Sequence, residues 1–239
     1  MFAAHGWSGW EVALMACYAA NLPWLALAGA TGLMGWVARP VHGTPSDSPA
    51  LPAAEPPTLP TAESPTLLAI CVRDEAIEPI LRELAALLRA LGGPHAVALL
   101  SDTTDPARGA AEDAAVARLA ATLPPGRLLH RRRRDNAGWK AGNVMDFLDH
   151  HAEGFELMLL LDADSRMAPG LVRRMIATMA AQPRLALLQA TIEGEGATTR
   201  FAHWFGVGHA PGGRCWTAGQ AWWQEGEGPY WGHNALLRI

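Results

Sequence analysis

From Thr66 onward, short apolar runs alternate with stretches whose apolar residues recur at helical spacing. LLAICV at 67–72 is followed by EAIEPILRELAALLRALGG, in which Ile77, Ile80, Leu81, Leu84, Leu87, Leu88 and Leu91 keep helical spacing and Gly92 supplies the stop. The first predicts a strand and the second an amphipathic helix. The alternation continues through HAVALLSD, a helical PARGAAEDAAVARLAATL closed by Pro124 and Pro125, the short strand RLLH, and a helix through NVMDFLDHH. ELMLLL, a helix from Pro169 to Ala181 closed by Pro183, and LALLQA complete it. Five strands alternating with four helices predict parallel pairing with right-handed crossovers, an α/β fold with a doubly wound, mostly parallel sheet. Ligands of such sheets bind beyond the carboxyl ends of the strands.

The chain before Thr66 follows other rules. Val12 to Val37 contains no charged residue and is interrupted only by Asn21 and Pro23. A bilayer span needs about 20 such residues. Trp7, Trp10 and Trp36 bracket the run as interfacial aromatics would; Glu11 precedes it and Arg39 follows, so the positive-inside bias puts the remainder in the cytoplasm. A cleaved signal peptide is the rival, but the first ten residues carry no Lys or Arg and the run is too long for an h-region. From Pro40 to Pro65 there are eight prolines among Ser, Thr, Ala and a few acids, the composition of an extended, semi-stiff linker. The expected organisation is a transmembrane segment over 1–38, a linker over 39–65 and a cytoplasmic domain over 66–239.

Composition narrows the partners. Half of the 239 residues are apolar and 18% are charged, enough for one full core. A net charge of -4, with basic residues spread out apart from Arg131 to Arg134, gives no case for nucleic acid. Cys17, Cys71 and Cys215 lie far apart without CxxC spacing, which argues against a disulfide framework or a zinc cluster and suits a reducing compartment. His150 and His151 read as a surface pair near a helix C-terminus.

Three polar clusters fall at predicted strand ends: Arg73, Asp74 and Glu75; Asp102; and Asp162 with Asp164. They are expected to converge on one crevice. Carboxylates at i and i+2 past a buried strand can both turn into a crevice as hard oxygen ligands for Mg2+ or Mn2+, and a cation there could stabilise a departing diphosphate. The same spacing also serves a plain loop or a helix cap, because Asp164 or Ser165 lies close to the helix that begins near Pro169. Upstream, NAGWKAGN (136–143) offers a glycine loop with Lys140 at a helix start, suited to phosphate or sugar oxygens, or else a turn with a solvated lysine.

LLSD at 99–102, KAGN at 140–143, LLDADS at 160–165 and YWGHNALLR at 230–238 together resemble the successive motifs of processive family 2 glycosyltransferases. More narrowly, with RRRR before the glycine loop and TAGQAWWQEGEGPYWGHN near the end, the span from Thr66 to Ile239 resembles the glucans biosynthesis glucosyltransferase H family, which makes osmoregulated periplasmic glucans. The resemblance implies a GT-A fold, UDP-glucose as donor, a divalent cation, and inverting transfer to a growing β-glucan at the bacterial inner membrane. By position it implies that Asp102 contacts the uridine part, that Lys140 and Asn143 lie along the UDP site, and that Asp162 and Asp164 bind the metal and diphosphate. It also implies that Trp231, Gly232, His233 and Asn234 line the acceptor side. Trp222, Trp223 and Trp231 could stack on sugar or serve as core or membrane-interface aromatics.

The chain departs from the pattern at VRDE (72–75), where the family has a more Asn-Glu-like sequence. The general base, expected beyond Ile239, is not among these residues, and Glu225 and Glu227 have no claim to that role without geometry. The chain is therefore expected to be a donor-binding fragment, inactive alone. Two alternatives differ in class. One is a membrane-anchored domain that binds a nucleotide-sugar without turnover. The other is a haloacid-dehalogenase-like phosphatase with a nucleophilic first aspartate, but three strands precede Asp162 here and Arg166 stands where that motif has Thr or Val.

Overall fold

The computed structural model describes residues 6–38 and 64–239 except 193, 195, 197, 226 and 229, together with the backbone but not the side chains of 208–211. Nearly all of the Pro-rich segment read as a linker lies outside the described residues. The elements in chain order are α1 (Gly9–Ala38), β1 (Thr66–Val72), α2 (Ile77–Leu91), β2 (Ala96–Ser101), α3 (Pro106–Ala120), β3 (Leu128–Arg132) and α4 (Trp139–His151). They continue with β4 (Leu157–Asp162), α5 (Pro169–Ala181), β5 (Leu187–Gln189), α6 (Arg200–Gln224) and β6 (Ala235–Arg238). They form two compact units, one holding the sheet with α2 to α5 and the other holding α1 and α6.

In the sheet unit the six described strands run in the order β3-β2-β1-β4-β6-β5. β1 pairs in parallel with both β2 and β4, setting Ile70 opposite Leu99 on one side and Leu161 on the other. Strands buried on both faces need apolar residues at every position, and TLLAICV and LMLLLD supply them. Side chains alternate between the faces. Leu68, Ile70, Leu99, Leu159 and Leu161 pack under the apolar stripes of α2 and α5. Leu67, Ala69, Leu100, Met158 and Leu160 pack on the opposite face, against Val144 and Phe147 of α4. Helices thus cover both faces of the expected doubly wound, mostly parallel sheet.

One strand departs from parallel order. β6 enters between β4 and β5 and runs antiparallel to both, with Leu236 opposite Leu159 and Leu188. The Ala190 N-H donates to the Asn234 carbonyl at 3.0 Å, so the chain leaves β5 and re-enters at β6 on the same end of the sheet. No crossover carries it back to the amino ends, and β6 has to run the other way.

In the other unit, α1 opens with a capping box. The Ser8 N-H donates to Glu11 Oε2 at 2.8 Å and the Glu11 N-H to Ser8 Oγ at 3.3 Å. Among the described residues α1 is long and apolar enough to cross a membrane, and Trp10, Leu14, Tyr18, Trp24, Leu33 and Trp36 are exposed on it. α6 packs on α1 backbone to backbone. A Cβ on Gly35 would sit 1.7 Å from the Cys215 carbonyl oxygen, and one on Gly219 would sit 1.9 Å from that of Thr31. Trp222 and Trp223 are exposed at the far end of α6.

Where α3 meets β3, Glu112 is 3% exposed. Its carboxylate accepts from Thr103 Oγ1 at 2.8 Å and Arg132 Nη2 at 2.9 Å, and His130 Nε2 lies 2.7 Å away. Burial alone pushes this carboxyl up, but hydrogen bonds from His130, Ser101, Thr103 and Arg132 outweigh it and hold the pKa at about 2, against 4.5 for the free group. A depressed carboxyl contributes stability that is present above the unfolded pKa and is lost as pH falls from about 4.5 towards 2. After allowance for screening this is worth on the order of 2 kcal/mol. Urea unfolding of the parent should lose that much more stability over this interval than unfolding of Glu112→Gln; parallel pH profiles would contradict the assignment.

Candidate functional site

β1 is the point from which the strand order diverges, with β2 and β3 on one side and β4 on the other. A crevice is expected where neighbouring crossovers leave in opposite directions, and a cavity of about 540 Å3 lies there. Cys71 to Arg73, Glu75, Asp102, Trp139, Lys140 and Asp162 to Asp164 line it. All three polar clusters therefore do meet. They contribute unequally.

After β1, Asp74 turns away from the cavity in a left-handed conformation, φ 55. Its carboxylate accepts from the Thr104 and Asp105 N-H groups, each at 2.9 Å, and from Thr104 Oγ1 at 3.1 Å. The Asp105 N-H, with that of Thr104, holds this carboxyl below the usual range. Asp74 ties two strand-end loops together, while Glu75 faces the cavity. Burial raises the pKa of Glu75, and the charges of Asp164 and Asp162 raise it further. Burial likewise pushes the Cys71 thiol up to about 11, so it stays neutral at ordinary pH.

Asp102 follows β2 and is 6% exposed. Arg133 grips it with a two-pronged pair, Nε to Oδ1 at 2.5 Å and Nη2 to Oδ2 at 2.8 Å. The same guanidinium donates to the carbonyls of Ala137 at 2.8 Å and Trp139 at 2.6 Å. The Asp102 bond raises the pKa of Arg133. The arginine run, which the sequence ties to the resemblance but to no catalytic role, divides the labour. Arg131 donates to the carbonyl and Oδ1 of Asn143, at 2.7 and 2.8 Å, Arg132 serves Glu112, and Arg133 holds Asp102 in the cavity wall from behind. A run of like residues on an edge strand reads as solvated, and only the pleat shows that successive members face opposite sides.

The glycine loop ends in two left-handed residues, Gly138 at φ 69 and Trp139 at φ 52. For tryptophan that conformation costs about 1–2 kcal/mol, offset by the two bonds holding it: its N-H donates to the Asn136 carbonyl at 3.1 Å, and its carbonyl takes Arg133. Gly142 has no alternative. A Cβ there would lie 2.1 Å from the Ala137 carbonyl oxygen. This turn aims Lys140 at β4, where Nζ donates to Asp162 Oδ1 and, at 2.7 Å, to the Gly232 carbonyl. Asp162 is half-buried and Asp164 exposed, and the Ser165 N-H closes the turn onto the Asp162 carbonyl at 3.0 Å.

Asn143 sits behind the cavity, 1% exposed, with its Nδ2 donating to the Leu100 carbonyl at 3.2 Å. Of the residues before β6, Gly232 accepts from Lys140 through its carbonyl, and His233 Nδ1 lies 3.7 Å from Asp162 Oδ2. Gln189 braces this turn, accepting from the Trp231 N-H at 3.1 Å and donating to the His233 carbonyl at 3.2 Å. Asn234 is left-handed at φ 50 and 6% exposed. None of Trp231, Gly232, His233 and Asn234 lines the cavity.

Two acidic groups could hold a cation. Asp162, Asp164 and Glu75 share the cavity, and the Lys140 ammonium against Asp162 shows that a positive charge fits there. Among the described residues it is Glu112, Asp113 and His130, not the three cavity acids, that bring ligand atoms within 4.8 Å of one another. There, however, Arg132 Nη2 already lies 2.9 Å from both carboxylates, and none of the three lines the cavity.

The fold and the strand-end crevice define an α/β domain of the switch-point class. No family model matches the chain. It is 37% identical to glucans biosynthesis glucosyltransferase H of Bradyrhizobium diazoefficiens over 141 residues, 59% of this chain and 19% of that protein. The protein of the same name from Xanthomonas campestris pv. campestris is 40% identical over 144 residues, 59% of this chain and 22% of its own. That of Rhodopseudomonas palustris is 31% identical over 239 residues, 96% of this chain and 32% of its own. A solved mannosyltransferase of Pyrobaculum calidifontis, in complex with GDP-Man and Mn2+, gives a TM-score of 0.49 at 19% identity, over 77% of this chain and 46% of that one. The chain is a homologue of the glucosyltransferase H proteins, as its motifs led one to expect, and it spans about a fifth to a third of their length.

Removing Arg133 should leave Asp102 buried and unpaired, a defect worth about 3–5 kcal/mol. Thermal unfolding should show Arg133→Met destabilised on that scale, with Asp102→Asn restoring part of the loss in the double variant. An Arg133→Met protein as stable as the parent would contradict the pairing.

Proposed function

We propose that the sheet unit is the donor-binding part of a GT-A domain. The whole protein is then a membrane glucosyltransferase, inverting and metal-dependent, that transfers glucose from UDP-glucose to a growing β-glucan in osmoregulated periplasmic glucan synthesis. One observation carries the reading: three carboxylates, Glu75, Asp162 and Asp164, share one switch-point cavity with Lys140, in a chain homologous to glucosyltransferases.

In this reading Asp162 and Asp164 hold Mg2+ or Mn2+, the hard oxygen donors such ions prefer. Bound there, the ion supplies charge neutralisation to the diphosphate as it leaves. Lys140, which donates to Asp162 Oδ1, would supply its ammonium to the phosphate oxygens. Asp102, held in place by Arg133, accepts from the uridine part. Asn143 belongs to the UDP site as the buried brace of the loop carrying Lys140. Trp231, Gly232, His233 and Asn234 form the acceptor side, and the Gly232 carbonyl on Lys140 ties that side to the donor. The length and composition of α1 support a place in the bacterial inner membrane, and the flanking Glu11 and Arg39 favour the cytoplasmic side for the sheet unit.

Titration calorimetry with UDP in the presence of Mn2+ tests the reading. The parent should bind, and Asp162→Ala should bind roughly 100-fold more weakly or worse, since even residues behind the metal ligands are worth 10- to 100-fold in affinity. Equal affinity in the two proteins would overturn the metal site.

A further inference from the structure

Trp139 is costly where it stands. Its side chain is 68% exposed, yet it lines the cavity rather than covering core. Its backbone is held left-handed by two hydrogen bonds, one of them from the arginine that grips Asp102. Across from it Arg73, at the end of β1, places its guanidinium carbon 5.3 Å from the centre of the indole ring. A flat π surface, a cation over it and a nearby carboxylate are what a heteroaromatic ring with polar edges requires: stacking on the face and a hydrogen-bond acceptor at the rim. The phosphate-binding candidates, Lys140, Asp162 and Asp164, lie in the same cavity.

We propose that Trp139, with Arg73 above it, is the platform on which the base of a nucleoside diphosphate stacks, so that this ring, and not only Asp102, fixes the base end of the site. The inference rests on the donor-site reading above and adds a binding residue to it. Strain at φ 52 has a purpose here: it turns the indole into the cavity, where a helical backbone at the same position would direct it elsewhere.

Calorimetry with the full chain in detergent and Mn2+ separates the two claims, using UDP, UDP-glucose and inorganic pyrophosphate as probes. Trp139→Ala should bind UDP about 10-fold more weakly, the scale of one lost base-stacking contact. Trp139→Phe should stay within about 3-fold of the parent, because it keeps an aromatic face. Pyrophosphate should bind all three proteins alike, which also reports that the cavity has kept its form. UDP affinity unchanged in Trp139→Ala would overturn the platform and leave the donor site standing. A loss confined to UDP-glucose would put the hexose on the indole and overturn it too, as would an equal loss of pyrophosphate. If the parent binds neither UDP nor pyrophosphate, the donor site and the platform fall together.

Discussion

The grip of Arg133 on Asp102 is the contact on which the crevice depends. One guanidinium satisfies both oxygens of a buried carboxylate and two loop carbonyls, and so fixes the end of β2, the glycine loop and the start of α4 in a single step. Arginine suits the task because its planar fork can serve several acceptors at once while staying charged, whereas a lysine offers a point charge on a mobile stem. The loop it holds carries Lys140 to β4, where the ammonium meets Asp162 and the Gly232 carbonyl. The wall, the loop and the turn before β6 are thus joined through two cationic side chains.

With Asp102 paired to Arg133, the cavity's remaining carboxylates, Glu75, Asp162 and Asp164, still outnumber the cations that line it, Lys140 and Arg73. Glu75 feels Asp162 and Asp164 in addition to its own burial. Like charges gathered at neighbouring strand ends are unfavourable unless a cation joins them, whereas at the Glu112 cluster a single arginine, Arg132, already bridges both carboxylates.

Most of the sheet was legible in the sequence. Buried parallel strands are continuous apolar runs, and α2 and α5 carry clean apolar stripes ended by Gly92 and Pro183. β3 extends two residues past RLLH because Arg131 and Arg132 belong to the ladder, and charged residues at a sheet edge look like loop. α4 begins at Trp139 rather than near Asn143, since the left-handed turn and the glycines of KAGN hide its first turn. α6 was missed altogether. Five glycines and Pro211 within it give it low intrinsic propensity, and its glycines match a neighbouring backbone, which no periodicity records. In the site, strand-end placement foretold which acids converge. It could not foretell that Asp74 points away, that Asn143 is buried, or that Arg133 and Trp139 shape the cavity, because those depend on φ angles and on pairings across more than thirty residues of chain.

The most direct test of the central claim, that this cavity holds a cation beside a nucleoside diphosphate, is anomalous scattering from crystals grown with Mn2+ and UDP. The account predicts a manganese peak about 2.0–2.5 Å from oxygens of Asp162 and Asp164, with the diphosphate on its open side. A peak at Glu112, Asp113 and His130 instead, or bound UDP with no manganese at the two aspartates, would contradict it.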